Sequence, residues 1–253
     1  MAQAVSTEIE SVFYSVSSSD LLSSWFGESE KLIKELFQHA RSTDRKAIVF
    51  IDEIDSLCRK RDSKEAEATR RVKTELLKQM EGAGDERGKD IFLLCATNCP
   101  WDIDSAFLRR FEKRIYIGLP GRDARKQLID IHLGDVQVSL TEKEWERVIN
   151  RTEGFSGSDL ATCASDALLE PVREIQNCKL WKWSEDKTFL MPASEGEAGS
   201  IGLRLESIPK EKVQPRAIMF DDLMKALNAN HRTVSQQELD RYNEFTESYG
   251  HVG

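Results

Sequence analysis

The feature that most constrains the fold is a short apolar run that leads directly into two acidic residues. Residues 47–52 read AIVFID, and Glu53 follows at once. A run this short and this apolar is typical of a strand buried on both faces, as in a parallel sheet. The carboxyl ends of such strands form the edge at which α/β proteins bind ligands. The run therefore predicts both a fold class and the position of a site.

Other segments fit the same class. Strands are predicted within 12–20, at 91–97 and at 114–118, and the segment that starts at Glu28 has apolar residues at helical spacing. Strands that alternate with helices indicate an α/β fold, a parallel sheet with flanking helices.

The strand pattern stops after Gly121. We predict a large α/β subdomain at 1–120 and a small, mainly helical subdomain at 121–253. Within the latter, aromatic residues, glycines and short alternating runs predict a β insert at about 179–217, followed by a C-terminal helix at about 235–249. The insert contains Trp181 and Trp183, which either form its core or present a partner-binding surface.

Composition excludes several classes of protein. The 253 residues carry a net charge of −8, so no nucleic-acid partner is expected. The five cysteines show no zinc-site spacing, as expected for reduced thiols. No apolar run approaches the roughly 18 residues of a membrane span, and the first residues do not resemble a signal peptide.

The two acids at the end of the apolar run suggest a division of labour. Successive side chains of a strand point in opposite directions, so Asp52 and Glu53 would face different groups. One carboxylate can serve Mg²⁺, and the other can activate a water as general base, which is the Walker B arrangement of a nucleoside triphosphatase. The alternative is a helix N-terminus whose dipole favours acids.

Three further groups support the nucleotide interpretation, and each has a simpler alternative. Asn98 follows the 91–97 run and can orient the attacking water, although asparagine is also common in turns. Arg109 and Arg110 can stabilise charge on a transferred phosphoryl group, or belong to a solvated basic turn. Gly157 and Ser158 begin a helix whose free N–H groups suit a polar ligand, but serine also caps helices routinely.

Together these motifs resemble a known family. FIDEIDSL at 50–57, the series ATN, DSA and RRFEKRIYI between 96 and 117, and GFSGSDL at 154–160 are similar to the meiotic clade of AAA ATPases. The β insert and the ending NEFTESYG narrow the resemblance to the vacuolar-protein-sorting type, which disassembles ESCRT filaments; microtubule-severing relatives lack a comparable insert.

The resemblance implies roles for individual residues. ATP and Mg²⁺ would be the cofactors, with Asp52 serving the metal, Glu53 activating water and Asn98 acting as sensor. Arg109 and Arg110 would reach a neighbouring subunit's site. The remaining implied residues are, at the adenine, His132, Gly157 and Ser158 and, in a substrate-gripping pore loop, Trp25 and Phe26.

The resemblance also implies an assembly and a place in the cell. The partners would be ESCRT filament subunits as polypeptide substrate, five further copies of the chain in a hexamer, and an adaptor at the β insert. The expected location is cytoplasmic, peripheral at endosomal membranes.

One part of the family pattern is absent from the sequence. A Walker B site needs a phosphate-binding loop of the form GxxxxGK[ST], and no such segment occurs in residues 1–253. The resemblance also places a strand between the 91–97 and 114–118 runs that this chain lacks. We therefore expect an amino-terminally truncated, incomplete P-loop core that is inactive alone. Alternatives are a non-catalytic pseudo-subunit or interaction module, or a microtubule-severing ATPase.

Overall fold

The computed structural model describes residues 2–22, 28–60, 67–81, 91–184, 186–194 and 196–250. The chain divides into two compact units. Unit 1 comprises Met1–Ile115 and Glu244–Gly253, and unit 2 comprises Tyr116–Asn243. Each unit has its own hydrophobic core, and a third apolar cluster lies in the insert.

The sheet of unit 1 has three described strands, β1 (Val12–Ser17), β2 (Ala47–Asp52) and β3 (Ile91–Cys95). All pair in parallel in the order β1-β2-β3. β2 is central and its first five residues are buried or nearly so, because apolar side chains cover both of its faces. The predicted parallel sheet with flanking helices is thus confirmed.

The described helices of unit 1 surround this sheet. They are α1 (Ala2–Glu8), α2 (Ser18–Leu22), α3 (Glu28–Ser42), α4 (Asp55–Cys58), α5 (Glu67–Glu81) and α6 (Ser105–Leu108). α3 buries Ile33, Phe37 and Ala40 in the core shared with β2, as the helical spacing predicts.

The prediction of a strand at 114–118 is wrong. The segment is irregular, and the side chains of Ile115 and Ile117 are 78% and 64% exposed. A strand exists only when a neighbour takes up its backbone hydrogen bonds. Among the described residues, no strand pairs with the second edge of β3 or with 114–118, so the apolar sequence alone does not form one.

The described residues of unit 2 include five α-helices. They are α7 (Arg122–Leu133), α8 (Glu142–Arg151), α9 (Gly157–Asn177), α10 (Phe220–Ala229) and α11 (Gln236–Tyr249), the last of which ends in unit 1. A two-stranded parallel ladder joins β4 (Val138–Ser139) to β8 (Ile218–Met219). In the described part of the chain, no helix combines the length and the apolar character needed to cross a bilayer.

The insert is a small antiparallel sheet of β5 (Leu180–Trp183), β6 (Leu190–Pro192) and β7 (Ile201–Gly202). The side chain of Trp181 is 0% exposed, and its indole N–H donates to Leu203 O at 2.9 Å. Trp183 is 39% exposed and lies beside the ammonium group of Lys212. Trp181 is therefore core, whereas Trp183 is at the surface.

Candidate functional site

The acidic pair lies where β2 ends. Asp52 is the last residue of the strand, and both Asp52 and Glu53 are exposed. Asp52 Oδ1 accepts the backbone N–H of Glu53 at 2.9 Å. The Glu53 carboxylate has no hydrogen bond or ion pair with any residue that the structure describes. A carboxylate that acts as a catalytic base must have its oxygens free of competing protein contacts.

The backbone of Glu53 has an unusual conformation. Its φ of +51° lies in the left-handed region, which costs a non-glycine residue about 1 kcal/mol or more. Such strain persists only when the surroundings enforce it and is frequent at functional sites. Here the Glu53 carbonyl is held by Ser56, whose N–H and hydroxyl donate at 3.0 and 3.1 Å.

The ends of β2 and β3 are tied together beyond the regular ladder. Ala96 N–H donates to Ile51 O, and Ile54 N–H donates to Ala96 O, each at 3.0 Å. The Thr97 hydroxyl then donates to Asp55 Oδ1 at 2.6 Å. Sequence analysis missed this clamp, for which the only signal is a hydroxyl residue just before Asn98 and an acid two residues after Glu53.

The clamp places Asn98 at the same end of the sheet as the acidic pair. Asn98 is exposed and follows Thr97, whose hydroxyl also accepts the N–H of Cys99 at 2.9 Å. The structure thus brings Asp52, Glu53 and Asn98 to one edge on neighbouring strands. Their catalytic roles stay predictions.

The two arginines differ in their contacts. Arg109 follows α6, is exposed, and its side chain has no partner among the described residues. Arg110 forms an ion pair with Glu81 of α5 and donates to Ala106 O at 2.9 Å. Arg110 is therefore held within unit 1, whereas Arg109 projects into solvent.

The remaining candidates lie in unit 2 or outside the described residues. Gly157 is the first residue of α9, and a Cβ placed on it would lie 4.0 Å from Leu128 Cδ1 of α7. His132 lies one helical turn after Leu128 and, like Ser158, is exposed. The predicted pore residues lie outside the described part of the chain; they are Trp25 and Phe26.

The start of α9 is stabilised by Asp159. Its carboxylate accepts the Ser156 N–H at 2.8 Å and the Thr233 hydroxyl at 2.9 Å. Burial on its own would raise the pKa of Asp159, but these hydrogen bonds outweigh it and lower the pKa below the ordinary value. Asp159 is thus an ionised structural group, which fixes the backbone of Gly157 and Ser158.

Two thiols near the sheet end, those of Cys58 and Cys95, are held in their protonated form by burial. Burial raises the pKa of Cys95 to about 12, and burial also raises the pKa of Cys58. A thiol that stays protonated at neutral pH is a poor nucleophile and a poor metal ligand. Neither Cys58 nor Cys95 is therefore a good candidate for chemistry at this edge.

The donor set fits a hard divalent cation. Two adjacent carboxylates and a side-chain amide offer oxygen ligands, which Mg²⁺ prefers, and exposure leaves room for its waters. Asp52 and Glu53 would hold or face the ion, which would neutralise phosphate charge when bound. A carboxylate that does not ligate the ion can instead take a proton from water.

Family comparisons cover most of the chain. A model described as "ATPase family associated with various cellular activities (AAA)" matches residues 1–119, and an AAA+ lid domain matches residues 143–185. A third, the Vps4 C terminal oligomerisation domain, matches residues 190–250.

The chain is also similar to curated vacuolar protein sorting-associated proteins. The chain is 44% identical to vacuolar protein sorting-associated protein 4B of Mus musculus, with 100% of this chain and 59% of that protein covered. It is 40% identical to vacuolar protein sorting-associated protein 4 of Dictyostelium discoideum, with the same coverage. The chain therefore spans about three fifths of the length of these curated relatives.

Two solved structures are also similar to the chain. The FIGL-1 AAA domain superposes with a TM-score of 0.78 at 31% identity and covers 100% of this chain and 73% of that one. A katanin structure gives 0.67 at 33% identity, covering 97% and 72%. The chain belongs to the AAA family of ATPases, and within it to the Vps4 type.

Proposed function

We propose that the protein containing this chain is a ring-forming AAA ATPase that couples ATP hydrolysis to the disassembly of ESCRT filaments in endosomal sorting. The observation that carries the proposal is the common edge formed by Asp52, Glu53 and Asn98 at the ends of β2 and β3. Supporting it is the similarity of the whole chain to vacuolar-protein-sorting relatives.

At this edge the side chains would divide the work. Asp52 serves Mg²⁺, while Glu53 accepts a proton from the attacking water, and the Asn98 amide orients that water. The exposed and unpaired Glu53 carboxylate is suited to this task because no protein group competes for its lone pairs within the described residues.

Groups from a second subunit would complete the site. Arg109 and Arg110 are the candidates for stabilising phosphoryl charge in a neighbouring copy. The contacts favour Arg109, because Arg110 is already paired with Glu81.

In unit 2, His132, Gly157 and Ser158 would border the adenine. Trp25 and Phe26 would grip the substrate polypeptide in the pore of a hexamer.

The β insert and the cell location complete the proposal. An adaptor would dock on the insert, where Trp183 is at the surface. The enzyme would act in the cytoplasm, peripherally at endosomal membranes, as its similarity to vacuolar-protein-sorting relatives suggests.

The proposed substrate is tested by sedimentation of preformed ESCRT filaments. The full-length natural protein should release filament subunits into the supernatant with ATP and Mg²⁺, but not with a non-hydrolysable analogue. If the filaments stay in the pellet while ATP is consumed, the proposed substrate is refuted but the proposed ATPase activity is not.

A second candidate function is favoured by one observation: residues 1–253 contain no GxxxxGK[ST] segment, yet Arg109 is exposed. A chain of this kind can donate arginines to a neighbour without hydrolysing ATP itself. We expect no micromolar binding when Mg²⁺·ATP is titrated calorimetrically into this chain. If the chain acts as an arginine donor, adding it should restore ATP hydrolysis to a variant of the mouse relative that cannot hydrolyse ATP alone. In that variant, the two arginines aligned with Arg109 and Arg110 are replaced by alanine.

A further inference from the structure

Arg114 makes an unusual set of contacts around the arginine pair. Its Nη1 donates to Leu108 O at 2.8 Å and to Phe111 O at 3.0 Å. Leu108 and Phe111 are the residues immediately before and after Arg109 and Arg110. One nitrogen of Arg114 therefore closes the turn that presents both arginines.

The same guanidinium also holds the end of the C-terminal helix. Arg114 Nε donates to Tyr249 O at 2.5 Å, and Tyr249 is the last residue of α11. The final carbonyls of a helix lack partners within the helix and carry partial negative charge. α11 has no basic residue in its own last turn, so Arg114 supplies the cation that this end requires.

These contacts need an arginine rather than any cation. A guanidinium is planar and presents its N–H groups in fixed directions, whereas a lysine ammonium is a compact point charge on a flexible stem. One Arg114 side chain satisfies three carbonyls from two segments. Because the Arg109 side chain has no partner among the described residues, the backbone of this turn directs it.

We propose that Arg114 is the positioning residue of the arginine pair, and that it links the direction of Arg109 to the docking of the end of α11. This inference rests on the proposed role of Arg109 in a neighbouring site. The segment matched by the oligomerisation-domain model ends at residue 250, and the AAA match includes the arginine turn. The contact thus joins the two matched regions within unit 1.

The test is steady-state ATP hydrolysis by the full-length natural protein. Arg114→Gln should lower kcat by about 10- to 100-fold with little change in KM for ATP, since a small misplacement of a charge-stabilising group carries a cost of this size. The matched control is Lys113→Gln, which alters an exposed neighbouring cation that contacts no partner within the described residues and should leave kcat unchanged. The double variant Arg109→Ala/Arg114→Gln should be no slower than Arg109→Ala.

The outcomes separate this inference from the proposed function. If Arg109→Ala leaves kcat unchanged, the proposed role of the arginine pair fails. If Arg109→Ala lowers kcat but Arg114→Gln does not, or if the two losses multiply in the double variant, only the positioning role is refuted.

A milder variant covers the case in which Arg114→Gln does not fold. Arg114→Lys keeps the positive charge but loses the planar group whose N–H donors point in fixed directions. In hydrogen exchange, the amides of Arg110 and Phe111, which bond to Phe107 O at 2.9 and 3.2 Å, should exchange at least ten-fold faster than in the unaltered protein. The amides of β2 should be unaffected. Unchanged exchange at Arg110 and Phe111 would overturn the inference.

Discussion

The sheet end of unit 1 and the helical part of unit 2 differ in how their charged side chains are partnered. In unit 2, Asp222 is only 2% exposed and accepts two hydrogen bonds from Arg216, at 2.6 and 2.9 Å. At the sheet end, Asp52 and Glu53 are exposed. Buried charges that are fully bonded maintain a structure, whereas charges displayed on a rigid edge are available to a ligand.

A second buried charge in unit 2, this time a cation, follows the same rule. Arg125 is 9% exposed and donates to Thr152 Oγ1, Pro120 O and Ile149 O at 3.1–3.2 Å. Ile149 and Thr152 lie at the end of α8, whose partial negative charge favours a cation. Unit 2 thus uses its buried charge to fix helix ends, and nothing similar restrains the Glu53 carboxylate within the described residues.

The largest effect should come from breaking the unit 2 network. Arg216 pairs with Asp222 and also donates to Glu174 Oε2 at 2.6 Å. Arg216→Ala removes both contacts and leaves the buried Asp222 without its cation. We expect a loss of about 3 kcal/mol in the free energy of unfolding, measured by denaturant titration and tryptophan fluorescence.

The matched control is the surface pair of Arg173 with Glu170, in which the Arg173 side chain is 57% exposed. Arg173→Ala should cost less than about 1 kcal/mol. Equal losses for the two variants would remove the distinction between the regions.

A smaller effect is expected in how the free energy of unfolding depends on pH through the Asp222–Arg216 pair. Burial alone would raise the pKa of Asp222, but hydrogen bonds from Arg216 and from the Met219 N–H lower it on balance. The unfolded chain therefore takes up this proton first as pH falls, so the stabilisation is present above an ordinary aspartate pKa of about 3.9 and is lost as pH drops through the lower folded value.

Asp222→Asn should reveal this dependence. The variant should be about 2 kcal/mol less stable than the unaltered chain at pH 7, since hydrogen bonds to a charged group are lost. The difference should shrink below about pH 4. A difference that stays constant from pH 7 to pH 2 would show that the Asp222 charge does not matter.

Sequence alone gave correct answers where the determining forces are local. The apolar runs predicted β2 and β3 correctly, whereas the roles of the acids at the end of β2 stay predictions. The prediction of a strand at 114–118 was wrong because a strand needs a neighbouring strand to pair with, which the local sequence pattern does not show. Trp181 and Trp183 fall on the same face by alternation, so only the packing of the insert could distinguish the buried one.

Other parts of the site depend on contacts between residues far apart in the chain. The Thr97–Asp55 clamp and the bond from Arg114 to Tyr249 join segments separated by 42 and 135 positions. The left-handed conformation of Glu53 is likewise imposed by the surrounding structure rather than by its own preference.

The smallest expected effect concerns the stability of the sheet end. Glu53→Gly removes the left-handed strain and should raise the free energy of unfolding by up to about 1 kcal/mol, offset in part by the greater entropy of glycine in the unfolded chain. Glu112→Gly, at an exposed position without a positive φ, is the control and should not stabilise. Destabilisation by Glu53→Gly would mean that the Glu53 side chain serves the fold.

The most direct test of the account is ATP hydrolysis by the full-length natural protein with Glu53→Gln. Because the glutamine is nearly isosteric but cannot accept the proton, kcat should fall by about 100-fold or more while KM for ATP changes little. The control Glu112→Gln should keep the unaltered rate. Hydrolysis by Glu53→Gln at the unaltered rate would contradict the assignment of this sheet edge as the catalytic site.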